Sequence, residues 1–164
     1  MKELYYPIAL NLKNKRTVVI GGGKVAERKV KTLLQFGARV RVVSPDLTAT
    51  LERLFKSRRI TWFNRVAEPS DVNGSDIVIA ATSDTAVNKR ISGWAKRQGI
   101  LINVVDRAEL SSFISPAILL TPKAVVAVYT HGRDPALSRD LKNFLKENWD
   151  VFLSYRRRLQ KRPS

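Results

Sequence analysis

The residues able to do chemistry in this chain fall into a few short groups. Gly21-Gly22-Gly23, with Lys24, Val25 and Ala26, gives the spacing Gly21-x-Gly23-x-x-Ala26, directly after the apolar run "RTVVI" and at the head of a helical stretch. In such a turn the first glycine permits the sharp reversal and the second lets backbone approach a pyrophosphate. The small third residue lets helix and strand pack closely. The helix start adds unpaired N–H groups and positive potential, both favourable to phosphate. The turn therefore reads as a dinucleotide site, against the alternative of a glycine-rich turn with a structural purpose alone. Downstream, "SPD" (Ser44, Pro45, Asp46) occupies the place where an acid about 20 residues on commonly meets the adenosine ribose. Asp46 could reach that ribose or could cap the following helix. Lys24 and Arg41 could instead favour a 2′-phosphate, so the choice between NAD and NADP stays open.

Two further groups follow apolar runs: "ATSD", with Thr82 and Asp84, and "NVVD", with Asn103 and Asp106. Partial burial of Asp106 would raise its pKa and make it a usable general acid or base. The other reading is a turn or capping aspartate. The single histidine, His131 in "THGRDP", reads as a surface residue rather than a catalyst. No group has metal-ligand spacing and no Ser/His/Asp set suggests itself. The absence of cysteine excludes disulfides, zinc–thiolate sites and thiol nucleophiles together.

These groups need elements to position them. "RTVVI", "ARVRVVS" (38–44), "RITWF" (59–63), "DIVIAAT" (76–82) and "ILINVVD" (100–106) are short apolar runs of strand length. Helical spacing lies between them, over 24–36, 46–56 and 85–98, with Gly37 stopping the first helix. The alternation predicts an α/β fold, a Rossmann-like doubly wound parallel sheet, with ligands outside the carboxyl ends of the strands. After Asp106 the pattern changes. "FISPAILL" and "AVVAVYT", separated by "TPK", predict a hairpin. From about Pro135 the chain becomes helical, with Leu137, Leu141, Phe144, Leu145 and Trp149 on one stripe. The boundary falls near residue 113, giving a nucleotide-binding domain over 1–113 and a small segment over 114–164 that ends in a basic tail. A segment of about 50 residues is too small to hold a core alone, so it must pack on the first domain or on its copy in a two-fold dimer.

The chain has 164 residues and a formal net charge of +16. A field of that strength attracts polyanions: nucleic acid, an acidic membrane surface, or a small molecule rich in carboxylates or phosphates. No helix-turn-helix or aromatic RNA-binding motif accompanies the charge, so no nucleic-acid partner is expected. No apolar run approaches the roughly 20 residues a membrane span needs, and the first residues lack a signal peptide's apolar region. A cytoplasmic protein without a membrane partner is expected.

The run "GGGKVAERK", followed in order by "VVSP", "AAT", Asn88, "NVVD", "FISPAIL" and "DPALSRDLKNFL", resembles the precorrin-2 dehydrogenase family, the N-terminal module of siroheme synthases. The resemblance covers about the first 147 residues. It implies a Rossmann domain, a small dimerisation segment forming a homodimer, and NAD-dependent oxidation of precorrin-2 to sirohydrochlorin in siroheme biosynthesis. By the same resemblance Asp106 is the catalytic aspartate. The cofactor contacts fall on Gly21, Gly22, Gly23, Lys24, Val25, Ser44, Pro45, Asp46, Thr82 and Asn103. A polycarboxylate tetrapyrrole would account for the basic charge. Many members are also sirohydrochlorin ferrochelatases and continue into a C-terminal helical domain. Here a basic helix stands in that place, and iron insertion is left open. His131-Gly132 replaces a Gly-Gly pair common in the family, and Thr130 matches a serine that is regulatory in some members. A non-catalytic NAD(H)-sensing Rossmann domain is the competing function.

Overall fold

The computed structural model describes residues 5–160. Five parallel strands make the main sheet: β1 (Arg16–Ile20), β2 (Arg39–Val43), β3 (Thr61–Phe63), β4 (Ile77–Ala80) and β5 (Leu101–Val104). Their order is β3-β2-β1-β4-β5, so the chain reverses direction across the sheet between β1 and β4. That reversal opens a crevice at the carboxyl ends of these two strands. Helix α1 (Lys24–Gln35) and helix α2 (Ala49–Lys56) cover one face, where Ala26, Val30, Leu33 and Leu51 meet Val19, Val40, Val42 and Ile79. Helix α3 (Thr85–Arg97) covers the other, with Ile91, Trp94 and Ala95 against Val18, Ile20, Val78 and Ile102. Both faces of the central strands are thus buried, and this is why they read as continuous apolar runs. The chain is α/β with a Rossmann-like doubly wound sheet.

Several boundaries differ from the sequence expectation for local reasons. Helix α2 begins at Ala49, because the Thr48 hydroxyl accepts the Leu51 N–H at 3.3 Å and so caps it. Asp46 is therefore not the cap. Its segment is held across the glycine turn, with the Thr48 N–H donating to the Gly22 carbonyl at 3.0 Å. Strand β3 starts at Thr61 because Arg58 (φ 55°) and Arg59 are used to close α2, their N–H groups donating to Phe55 and Leu54 carbonyls.

Tyr6–Phe113 form one compact unit, and the chain from Ile114 onward forms a second, to which Tyr5 belongs. In the second unit β6 (Ala117–Leu120) and β7 (Val125–Val128) pair as an antiparallel hairpin. The Tyr129 hydroxyl donates to the Tyr5 carbonyl at 3.1 Å. The expected single helical stripe is broken at Asn148 into α4 (Pro135–Glu147) and α5 (Trp149–Gln160), because the Asn148 amide N–H and side chain both satisfy the Phe144 carbonyl. The basic tail lies within α5 as far as Gln160, and its last residues, 161–164, lie outside the described residues. This unit leaves Leu120, Val125, Leu137, Leu141, Phe144 and Phe152 exposed. No helix among the described residues is long and apolar enough to cross a membrane.

Candidate functional site

The carboxyl ends of β1, β2, β4 and β5 bring the chemically capable groups to one edge of the sheet. After β1, Gly21 has φ 117°, a conformation open to glycine, and a side chain there would overlap the Ala81 carbonyl that follows β4. A side chain at Gly22 would overlap the Asp46 carbonyl beyond β2. These two glycines let three strand ends close on one another. Gly23 differs: a methyl group there would meet nothing within 4 Å. It is also the N-cap of α1, and no side chain caps that helix end. The turn therefore presents uncapped first-turn N–H groups to open space, with the positive end of a 12-residue helix behind them.

Glu27 secures this turn. Its carboxylate, largely buried, accepts the Thr48 hydroxyl at 2.6 Å and pairs with Lys31 at 2.6 Å. Those hydrogen bonds, that of Lys31 first, pull its pKa from 4.5 down to about 2. The acid of "AERK" thus ties α1 to the cap of α2 and fixes the post-β2 loop over the glycines. Lys24 and Val25 stand exposed at the mouth of the turn, and Pro45 and Asp46 are exposed above β2. Ser44 is buried, its carbonyl accepting the Trp62 indole N–H at 2.9 Å.

Across the crevice a fully buried asparagine organises the other half of the site. Asn88, on the inward face of α3, accepts from the Thr82 N–H at 3.2 Å and the Thr82 hydroxyl at 2.8 Å through its Oδ1. Its Nδ2 donates to the Thr82 carbonyl at 3.1 Å and to Oδ1 of Asp106 at 3.1 Å. One side chain therefore locks the loop after β4 and aims the carboxylate after β5. Asp106 is exposed, contrary to the burial expected for it, because β5 ends at Val104 and the following turn lifts it clear of the sheet. Asp84 is occupied as the cap of α3, accepting from Ala86 and Val87 N–H groups. Asn103 is buried on β5, and its Nδ2 donates to the Phe113 carbonyl at 3.1 Å.

The structure brings Gly21–Val25, Ser44–Asp46, Thr82, Asn103 and Asp106 to the carboxyl edge of one sheet. Sequence reasoning did not assign roles to Asn88 and Glu27. The available signal was a polar residue in register with the buried stripe: Asn88 with Ile91, Ser92 and Ala95, and Glu27 beside Ala26 and Val30. His131 lies in the second unit, in a left-handed conformation (φ 52°), with its ring edge-on to Tyr129 at 5.2 Å.

With this geometry in view, a family model described as NAD(P)-binding matches residues 8–117. The chain belongs to that family. The glycine turn fits such a group: Gly23 leaves open space where a pyrophosphate could approach, and the helix end behind it is uncapped. Among curated relatives, the siroheme synthase of Baumannia cicadellinicola subsp. Homalodisca coagulata is 34% identical over 149 residues, 91% of this chain and 32% of the relative. That of Methylobacillus flagellatus is 42% identical over 136 residues, 83% of this chain and 29% of the relative. The chain thus spans about a third of the length of the curated relatives it matches. Among solved structures, SirC, a precorrin-2 dehydrogenase, superposes with a TM-score of 0.77 at 28% identity, covering 88% of this chain and 71% of SirC.

Proposed function

We propose that this NAD(P)-binding chain is a dehydrogenase that oxidises precorrin-2 to sirohydrochlorin with NAD, a step of siroheme synthesis. The observation that carries the reading is the Thr82–Asn88–Asp106 arrangement. An exposed carboxylate is held by a buried amide that also fixes the loop bordering the dinucleotide crevice. The likeness to SirC and to the siroheme synthases supports the substrate.

In this reading the N–H groups at the start of α1 bind the pyrophosphate, and Gly23 admits it. Ser44, Pro45 and Asp46 border the adenosine end, at the close of β2, while Thr82 and Asn103 border the nicotinamide end. When bound, NAD supplies the hydride acceptor. Oxidation removes a hydride and a proton from the macrocycle, and the Asp106 carboxylate takes the proton. Exposure suits proton transfer of this kind, because the macrocycle is large and must approach from solvent, while Asn88 keeps the carboxylate from turning away. The 1–113 segment serves as the nucleotide domain and 114–164 as the dimerisation segment. The apolar side chains left open on the hairpin, α4 and α5 support an isologous homodimer, and we place the protein in the cytoplasm as part of the same reading.

The decisive experiment incubates the protein with NAD and precorrin-2 and follows NADH and sirohydrochlorin by absorbance. Coupled appearance of both is expected, with most turnover lost and NAD affinity kept in Asp106→Ala. A folded, NAD-binding protein without turnover would refute the proposal.

A further inference from the structure

The cofactor crevice uses the carboxyl ends of the strands, yet much of the positive charge lies at their amino ends. Arg16 and Arg39 open β1 and β2 and are register partners, and Arg41 pairs with Val18, so all three project from one face of the sheet. With Asn73, Gly74 and Ser75 of the loop before β4 they line a cavity of about 260 Å³. Around the edge of β2 a second hollow of about 450 Å³ is lined in part by Arg39, Arg58 and Arg59. Arg39 borders both.

These cations are poorly compensated. Among the described residues Arg39, Arg41, Arg58 and Arg59 form no ion pair with a carboxylate, and Arg16 has only Asp76, at 3.8 Å. Arg41 donates one N–H to the Asp71 carbonyl at 2.7 Å, while its Nε is buried without a partner. Arg39 has only a long contact, 3.4 Å, to the Asn14 side chain. Arg58 sits at a positive φ, where glycine would serve the backbone better. Clustered like charges oppose folding unless a counter-ion joins them.

We propose that the amino ends of β1 and β2 form a second anion site, which takes a phosphate group and is separate from the dinucleotide crevice. Arg16 and Arg39 offer donors to the cavity, while Arg41, held by the Asp71 carbonyl and lying over the Phe63 ring at 5.6 Å, adds positive charge beside them. A phosphate can accept from both arginines and keep further oxygens for the Asn73–Ser75 loop, whereas one carboxylate has two. The concave shape admits a single group or a short phosphate chain rather than the length of a duplex. The strand length of β1 puts about 13 Å between the two edges, so one phosphate cannot serve both. This site does not depend on the dehydrogenase reading.

The test is thermal denaturation and calorimetric titration with inorganic phosphate and with tripolyphosphate, at constant ionic strength and with NAD saturating. A saturable rise in Tm is expected, roughly 5 to 10 °C at about 100 times Kd. Arg39→Ala should weaken binding about tenfold or more. Arg16→Ala removes a side chain that is 69% exposed, so it should fold about as well as the parent and bind phosphate more weakly. Absence of a saturable rise, or affinity unchanged in both variants, would overturn the site. So would citrate binding more tightly than tripolyphosphate, or a short DNA duplex binding more tightly in an Arg39-dependent way. Free phosphate and a phosphate chain are distinguished by which of the two titrants binds more tightly.

Discussion

Replacing Asn88 by leucine tests the central claim about the site, because it keeps the volume and removes every polar contact. Asn88 is fully buried, with bonds to the Thr82 N–H, hydroxyl and carbonyl and to the Asp106 carboxylate. A neutral hydrogen bond contributes about 1 kcal/mol net, and one to a charged group about 1.5–3 kcal/mol. Asp106 is exposed and Thr82 half-buried, so water recovers part of the loss, leaving about 2–3 kcal/mol. For a domain of this size that lowers Tm by roughly 5 to 10 °C. The effect on chemistry should exceed the effect on binding. A carboxylate released from its holder is misplaced by about an ångström, which can cost up to roughly 100-fold in rate. We expect kcat to fall about 10- to 100-fold with KM for NAD changed less than about threefold, measured by NADH absorbance at a temperature well below the variant's Tm. Asn88→Leu combined with Asp106→Ala should be no slower than Asp106→Ala alone, since a positioning residue has nothing left to position. A kcat within about twofold of the parent, or losses that multiply in the double variant, would refute the reasoning.

The two kinds of glycine should separate cleanly. Gly22→Ala drives a methyl group into the Asp46 carbonyl and should cost about 3 kcal/mol in urea denaturation, whereas Gly23→Ala should fold normally and lose NAD affinity; equal stability of the two would contradict the assignment. Glu27 has its pKa lowered from 4.5 to about 2, so its stabilising contribution is present above pH 4.5 and is lost as pH falls through about 2. The difference in urea midpoint between the parent and Glu27→Gln should therefore be large at pH 7 and close to zero below pH 2, and a difference constant across that range would count against the tie to Thr48. Phe144→Asp places a charge in the exposed apolar surface of α4 and should turn the proposed dimer into a monomer by light scattering while NAD binding persists; an unchanged mass would remove that surface from the proposed dimer.

Much of the framework was legible along the chain because local physics sets it. Strands β1, β4 and β5 are buried along most of their length, so each reads as an apolar run, and the crossover helices keep their spacing. The glycine turn was legible for a related reason: Gly21 needs a positive φ and Gly22 has a carbonyl against it, so other residue types are excluded at both. The cap of α2 was not. Asp46 and Thr48 are both good capping types, and only the closure of the post-β2 loop over Gly22, with Glu27 holding the Thr48 hydroxyl, decided for Thr48.

The sequence by itself determined an α/β nucleotide-binding fold, its punctuation and its positive charge, since these follow from side-chain periodicity, backbone freedom and composition. Only the tertiary structure decided which polar groups meet. Asn88 reaches Asp106 across 18 residues of chain, and Glu27 reaches Thr48 across 21, because strand and helix return them to the same edge. It also divided the charge, carrying Arg16, Arg39, Arg58 and Arg59 to the edge opposite the glycine turn. In a parallel sheet every strand begins at one edge and ends at the other, and residue spacing along the chain does not reveal which arginines will share an edge until the strands are paired.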